Sequence, residues 1–157
     1  MATVTLKGAH KRQFGNGPYG NLSVLTFALM TAANGSAIGS DSAAALAAGD
    51  VIDLGPLPEG MRLDDASILV RVGMSATITG SLGFKYEDGV DSPEVPQDAA
   101  YFGAALSLAS IGRVRATGSK LLTLAKPARL ILTTAAAANA KASDINVVVF
   151  GEQLGAR

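Results

Sequence analysis

The sequence contains no cysteine and no tryptophan, and His10 is its single histidine. Without cysteine, the chain cannot form disulfides, zinc–thiolate sites or cysteine nucleophiles. A Ser-His-Asp triad would have to use His10, which lies in a glycine-rich stretch with no regular apolar spacing. Because a general base must be held rigidly beside its nucleophile, we do not expect His10 to be catalytic.

The chain also lacks an excess of either charge. Lysine and arginine together number 13, and so do aspartate and glutamate, which gives a net charge of zero. A dedicated nucleic-acid-binding protein would have a basic excess, so we predict no nucleic-acid partner. A neutral chain with a mean hydropathy of +0.31 is poorly protected against self-association. We therefore expect partner proteins to cover part of its apolar surface.

Long apolar runs are absent as well. No run approaches the roughly 18 residues that a membrane-spanning helix requires. The first residues, MATVTLK, contain no apolar segment of the kind found in secretion signals. We expect a soluble protein that is made in a cytoplasm and has no membrane partner.

No catalytic or cofactor motif is present. Residues 112–120 have two glycines, but their spacing and the Ser-Lys order differ from a phosphate-binding loop, and no helical pattern follows. The acidic residues between 87 and 98 match no calcium-loop spacing, so we interpret them as a solvated loop. We predict no enzyme activity, no cofactor and no metal site.

Residues 66–87 give the clearest structural signal. Ile68, Val70 and Val72 alternate with polar residues, and a second alternating run over residues 77–87 contains Phe84 and Tyr86. This period of two predicts two half-buried strands, with Tyr86 facing the core. Residues 73–75 between them predict a hairpin-like connection.

The remaining segments predict further strands with turns between them. Residues 55–60 contain two prolines and predict a turn. Two alanine-rich segments, residues 43–48 and 99–109, each follow a capping residue and predict short helices. The result is an all-β fold, an antiparallel β-sandwich or jelly roll of about eight strands with one or two short helices in loops. The other predicted strands cover residues 2–6, 22–31, 50–54, 113–116, 119–124, 128–134 and 145–153.

The chain divides into two parts. Residues 1–21 are predicted to form an N-terminal strand and an extended, glycine-rich arm, and residues 22–157 a single β-sandwich domain. The strand over residues 22–31 is apolar on both parities, so we expect both of its faces to be covered. This strand and the last one, residues 145–154, are predicted to lie in the core or at an oligomer interface.

Five stretches of the sequence carry a family resemblance: residues 51–60, 68–72, 82–91, 95–102 and 146–152. Together they resemble the small head proteins of tailed bacteriophages, in particular the decoration or cement proteins that bind the outside of the capsid. The resemblance implies a jelly-roll sandwich, no catalysis and a location on the capsid exterior. It also implies synthesis in the host bacterial cytoplasm and two partners, the major capsid protein and further copies of itself in a homodimer or homotrimer. The resemblance covers residues 50–152.

The arm and the acidic, proline-containing loop are the segments that we expect to reach neighbouring subunits. The predicted contact residues are His10, Lys11, Arg12, Phe14, Tyr19, Asp91, Glu94, Tyr101 and Phe102.

The main alternative is a receptor- or glycan-binding β-sandwich, such as a fibre head. Its sugar platform would have to use Tyr19, Tyr86 or Tyr101, because tryptophan is absent. An enzyme is a third interpretation, and its chemistry would depend on an acidic pair and not on His10.

Overall fold

The computed structural model describes residues 1–6, 22–118 and 120–154. These residues form two sheets packed face to face. The first sheet has the strand order β1-β3-β9-β5-β6; the second has the order β2-β10-β4-β7, with β8 also paired to β4. The strands are β1 (Thr3–Thr5), β2 (Ser23–Thr31), β3 (Val51–Leu57), β4 (Met61–Val72), β5 (Thr79–Tyr86), β6 (Asp98–Ser107), β7 (Gly112–Arg115), β8 (Leu122–Thr123), β9 (Ala128–Ala135) and β10 (Ser143–Gln153).

The core follows from the alternation along the strands. In β10, Ile145, Val147 and Val149 are fully buried, and Val147 lies opposite Phe27 of β2 and Ile68 of β4. Burying one such side chain stabilises the fold by about 1.5–3 kcal/mol. The predicted all-β sandwich is confirmed, and the predicted N-terminal strand is present as β1, which pairs in parallel with β3.

Four aromatic rings form a chain inside the sandwich. Phe84 meets Tyr86 edge-on at 5.8 Å between ring centroids and Tyr101 at 5.7 Å, and Tyr101 meets Phe102 at 4.8 Å. Edge-to-face contacts of this kind stabilise beyond the area they bury. The prediction that Tyr86 faces the core is confirmed, since its side chain is almost fully buried.

The predicted hairpin between residues 66–72 and 77–87 is wrong. Strand β4 pairs with β10, β7 and β8, whereas β5 pairs with β6 and β9 of the other sheet. The connection crosses between the layers and buries Met74 and Ile78. A side chain at Gly73 would overlap the backbone of Ala109, so glycine permits this close crossing.

Neither predicted helix forms among the described residues. In the segment 43–48, the Leu46 N–H donates to Gly35 O (3.1 Å), and Leu46 O accepts from Asn139 N (2.7 Å). These tertiary backbone bonds replace the local helical ones. Residues 98–107 form the edge strand β6, in which Ala105 has a φ of 53° and interrupts regular pairing with β5.

The predicted turn at residues 55–60 begins later than expected. Gly55, Pro56 and Leu57 continue β3 after a bulge and pair with β9. Strand β1 covers β3 only as far as Asp53, so Pro56 lies where β9 is the one strand of the described residues beside it. Proline is compatible with such a one-sided position because that side needs no ladder donor.

A buried polar network holds the alanine-rich end of the sandwich together. The Asn139 side chain donates to Thr31 Oγ1 (3.0 Å) and to Lys141 O (2.8 Å), and its Oδ1 accepts from the Ser75 N–H (3.1 Å). Thr31 Oγ1 also lies 2.8 Å from Ser143 Oγ. The network joins the end of β2, the start of β10 and the crossing that follows β4.

Candidate interaction surfaces

The outer face of the second sheet consists of the outward side chains of β2, β10, β4 and β7, and we call it the outer face. Its β2 side is apolar: Val24 and Met30 are about half exposed, at 48% and 49%. Towards β10 and β4 it continues with the half-buried Val148, Phe150 and Leu69. An apolar stripe on a sheet face is the kind of surface that partner proteins cover.

The β4–β7 side of the outer face is charged. Arg115 forms a salt bridge with Asp65 across the two strands (2.7 Å), and Arg113 lies 3.4 Å from the hydroxyl of Ser67. These residues line a groove of about 370 Å³ together with Asp64, Leu22 and Phe150. The groove therefore has ionic groups at one side and apolar groups at the other.

A second ionic group lies along β4 and β10. Arg62 bonds to Asp64 (2.7 Å) and to Glu152 (2.8 Å). The hydrogen bond that Arg62 donates to Asp64 is the main cause of the raised pKa of Arg62, and Glu152 adds to the shift. Because Arg62 is solvent-accessible, this cluster fixes side-chain positions more than it stabilises the fold.

Residues 87–97 connect β5 to β6, and we call them the acidic loop. The Tyr86 hydroxyl donates to Val95 O (2.6 Å), and the Tyr86 N–H donates to the side chain of Gln97 (3.2 Å). Asp91 Oδ1 accepts from the backbone N–H groups of Ser92 (2.8 Å) and Gln97 (2.7 Å). These bonds give the loop a defined shape.

The charges of the acidic loop are only partly neutralised. Asp88 pairs with Lys126 (3.0 Å); a bond from the Val90 N–H and this lysine hold the pKa of Asp88 below its usual value. Asp91 and Glu94 are exposed and form no salt bridge with any described residue. The loop therefore presents net negative charge on an ordered backbone.

Two predicted contact residues are located in the core. Tyr101 is 8% exposed, and its hydroxyl is within hydrogen-bond distance of Leu63 O and Lys120 O. Phe102 is 2% exposed. Burial raises the pKa of Tyr101 to about 12. This environment does not fit direct contact with a partner, so we remove both residues from the proposed contact surface.

The other predicted residues separate into two groups. Asp91 and Glu94 lie together at the surface of the acidic loop. The arm residues lie outside the described residues: His10, Lys11, Arg12, Phe14 and Tyr19.

The described residues offer few features that a glycan-binding protein or a metal-dependent enzyme would use. Tyr86 and Tyr101 are buried, so neither offers a ring face to a sugar. Within residues 1–6, 22–118 and 120–154, no group of acidic or histidine side chains is arranged to hold a metal ion. The described part of the chain forms no helix with the length and apolar character needed to cross a bilayer.

Sequence reasoning missed the groove. Asp64 and Asp65 lie within β4, at a bulge in its pairing with β10. The alternation in the short strand, which places Arg113 and Arg115 on the same outward face, was the sequence signal that could have indicated the groove. Nothing in the sequence indicated that β7 would lie beside β4.

Comparison with known proteins identifies the fold. No protein-family model matches the chain, and no curated protein matches its sequence. Among solved structures, it is similar to a chain in the capsid of Ralstonia phage GP4, with a TM-score of 0.67 and 21% identity over 98% of this chain and 99% of that one. It is also similar to a chain in the capsid asymmetric unit of cyanophage Pam1, with a TM-score of 0.53 and 14% identity over 90% and 94% of the two chains. The chain thus has a β-sandwich fold that also occurs in phage capsids.

Proposed function

We propose that this chain is a structural protein of a phage virion, which binds the outer capsid surface as a decoration or cement protein and stabilises the head. The observation that carries this proposal is the end-to-end similarity of fold to a chain of the phage GP4 capsid. Because both chains are covered almost completely, the similarity extends along both chains and is not limited to one shared motif. The proposed partners are the major capsid protein and further copies of this chain.

The distribution of surfaces supports a bridging role. The outer face belongs to the second sheet, whereas the acidic loop extends from the first. A protein that joins two neighbouring capsid subunits needs at least two separate contact surfaces, and these two satisfy that requirement. Each bound copy adds contact area at a joint, and binding to the assembled state stabilises that state by mass action.

The proposed location is the capsid exterior, after synthesis in the cytoplasm of the host bacterium. The zero net charge supports this location over one in contact with the packaged genome, since a genome-binding surface would carry a basic excess. The mixed apolar and ionic character of the outer face suits a protein surface as partner.

The experiment compares phage particles assembled with and without this chain. We expect particles without it to release their DNA at a lower temperature, and purified chain added back to restore the original temperature. An unrelated protein of the same size, added at the same concentration, controls for non-specific protection.

Release temperatures that do not differ, together with no binding of the added chain, would overturn the proposal. Binding of the isolated chain to saccharides in a glycan screen would then support the receptor-binding alternative.

A further inference from the structure

The edges of the two sheets differ in how they are protected. An edge strand exposes unpaired backbone groups, and natural proteins protect such edges by shortness, charge or irregularity. Strand β1 has only three residues, and the four-residue β7 carries Arg113 and Arg115. Strand β6 is interrupted by bulges, and its Phe102 carbonyl already accepts from the Thr117 N–H (2.9 Å).

Strand β2 has none of these protections. Its nine residues, SVLTFALMT, include no charged residue, proline or glycine. It pairs with β10 from Ser23 to Thr31 without a register shift, so the strand is regular throughout. On its other side, no strand of the described residues pairs with it.

The direction of the backbone groups shows which part of this edge is open. At one end, Met30 O accepts a hydrogen bond from the Ile38 N–H on the side away from β10 (2.8 Å). Because hydrogen-bonding direction alternates along a strand, the N–H and C=O groups of Val24, Thr26 and Ala28 point to that same side. No described residue forms a backbone bond to these three on that side.

Exposed apolar side chains border the same open segment. Leu22 is 62% exposed and Ile38 is 54% exposed, beside the half-exposed Val24 and Met30. The open backbone and the apolar side chains thus coincide at one end of the outer face. A partner that adds a strand here would form hydrogen bonds with the open backbone groups and would cover the apolar side chains.

We propose that β2 pairs antiparallel with β2 of a second copy of this chain, around a twofold axis at Thr26. In this register Thr26 lies opposite Thr26, and Val24 lies opposite Ala28. About six backbone hydrogen bonds form between the copies. Pairing between the copies extends from Val24 to Ala28 and ends there, because the backbone of Ile38 already occupies the place beside Met30. Leu22 of each copy then lies next to the partner's Ile38, so the apolar side chains cover one another.

The absence of charge along β2 supports a second copy as the occupant. A twofold interface brings the same surface together from both sides, so any charge near the axis would meet its own like charge. No residue from Ser23 to Thr31 is charged, so no like charges would meet across this axis. The inference deepens the proposed function by naming the surface for self-association, and it places two copies in one continuous sheet.

The test uses the reciprocal charge variants Thr26→Lys and Thr26→Glu. Thr26 is exposed, so neither variant should disturb the monomer fold. Sedimentation velocity and native mass spectrometry of the full chain should show a dimer, with a dissociation constant raised on the order of tenfold or more in each variant. An equimolar mixture of the two variants should form a mixed dimer, because opposite charges then meet at the axis.

Ile111→Lys is the matched control, since it places the same charge at a side chain that is 76% exposed and distant in sequence from β2. It should leave the dimer unchanged. Self-association that is unaffected by both Thr26 variants, or a full-length chain that is monomeric at all accessible concentrations, would overturn the inference. A stable trimer would also overturn it, because a single twofold contact closes at two copies.

Particle heat stability separates this inference from the proposed function. A chain that dimerises through Thr26 but has no effect on particles would overturn the proposed function alone. A chain that stabilises particles, but whose self-association is the same in the Thr26 variants, would overturn the proposed dimer alone.

Discussion

The backbone nitrogen of Ile38 lies 2.8 Å from the carbonyl oxygen of Met30 and donates a hydrogen bond to it. Together with the bridge between Thr31 and Ala37, this bond covers the last part of the β2 edge and leaves the part around Thr26 open. The segment that leads from β2 to β3 thus determines where a second strand can be added. The same segment is tied to the sandwich through Leu46 and Asn139.

Asn139→Ala should lower the free energy of unfolding by about 2–4 kcal/mol. The side chain is 1% exposed, and its removal leaves the Ser75 N–H without its acceptor and takes one of two donors from the Lys141 carbonyl. Urea denaturation followed by circular dichroism measures the change. Asn34→Ala removes an exposed amide from the same end of the molecule and should lower stability by less than about 1 kcal/mol. Equal effects of the two substitutions would contradict the role of the buried network.

Tyr101 should make the fold sensitive to alkaline pH. Burial raises its pKa to about 12, whereas an unfolded tyrosine ionises near pH 10. The folded state therefore binds the proton of Tyr101 more tightly than the unfolded state does. The resulting stabilisation of the fold is complete below about pH 10 and is lost as the pH rises towards about 12. The loss should be on the order of 2–3 kcal/mol.

Tyr101→Phe provides the comparison, because it removes the ionisable hydroxyl and keeps the ring. The variant should be less stable than the original chain at pH 8, since Leu63 O and Lys120 O lose their donor. Its stability should decline less between about pH 10 and pH 12. Denaturant unfolding at each pH measures the free energy of unfolding of both proteins. Parallel declines of this free energy would exclude Tyr101 as the source of the pH dependence.

Neutralising the acidic loop should weaken binding to capsids. The double variant Asp91→Asn with Glu94→Gln removes two unpaired negative charges and keeps the Asp91 oxygen that accepts from Ser92 and Gln97. We expect the dissociation constant to rise on the order of tenfold at low salt and the difference to shrink as salt increases.

Asp41→Asn with Glu59→Gln removes the same charge outside the acidic loop and is the matched control. Cosedimentation with particles that lack the chain measures both double variants. Equal losses would show that total charge matters and not the acidic loop.

Replacing residues 7–21 with a glycine–serine segment of equal length should weaken capsid binding and leave the free energy of unfolding unchanged. Equal length keeps β1 attached, which matters because Thr3–Thr5 pairs with β3. The variant Lys11→Gln with Arg12→Gln separates charge from the other arm contacts. Binding unchanged in both variants would sink the hypothesis that the arm reaches a neighbouring subunit.

The strands were predictable where one face is buried and the other is not. In β9 and β10, alternating or continuous apolar residues marked the strands to within a residue or two. The strand over residues 22–31 was recognised too, and its apolar outward parity already indicated a covering partner. Its outward side chains are exposed in the single chain, so the identity of that partner remains a proposal.

Pairing was not predictable from the same signal. Periodicity gives the face of a strand but not its neighbour. The pattern therefore predicts a hairpin of β4 and β5, although the two strands belong to different sheets. The alanine-rich segments failed for another reason. Local helix preference is weak compared with tertiary backbone bonds such as Leu46 N–H to Gly35 O, which no local pattern reveals.

The candidate site was only partly accessible to sequence reasoning. The exposure of Asp91 and Glu94 was predictable, because an acidic segment with two prolines is typical of a solvated loop. Their contact with a partner stays a prediction. Tyr101 and Phe102 were assigned to a helix, and only the strand β6 explains why their rings point into the core. The Asp65–Arg115 pair joins residues fifty positions apart, and such a pair depends on the fold.

The most direct test of the proposed function is quantitative mass spectrometry of purified particles from the source system, which counts copies of this chain per major capsid protein. The proposal predicts a ratio on the order of one-third to one, because a protein at every capsid joint must follow the symmetry of the shell. A few copies per particle would contradict a decoration role and point to a fibre or tail. Complete absence from particles would contradict a virion function altogether.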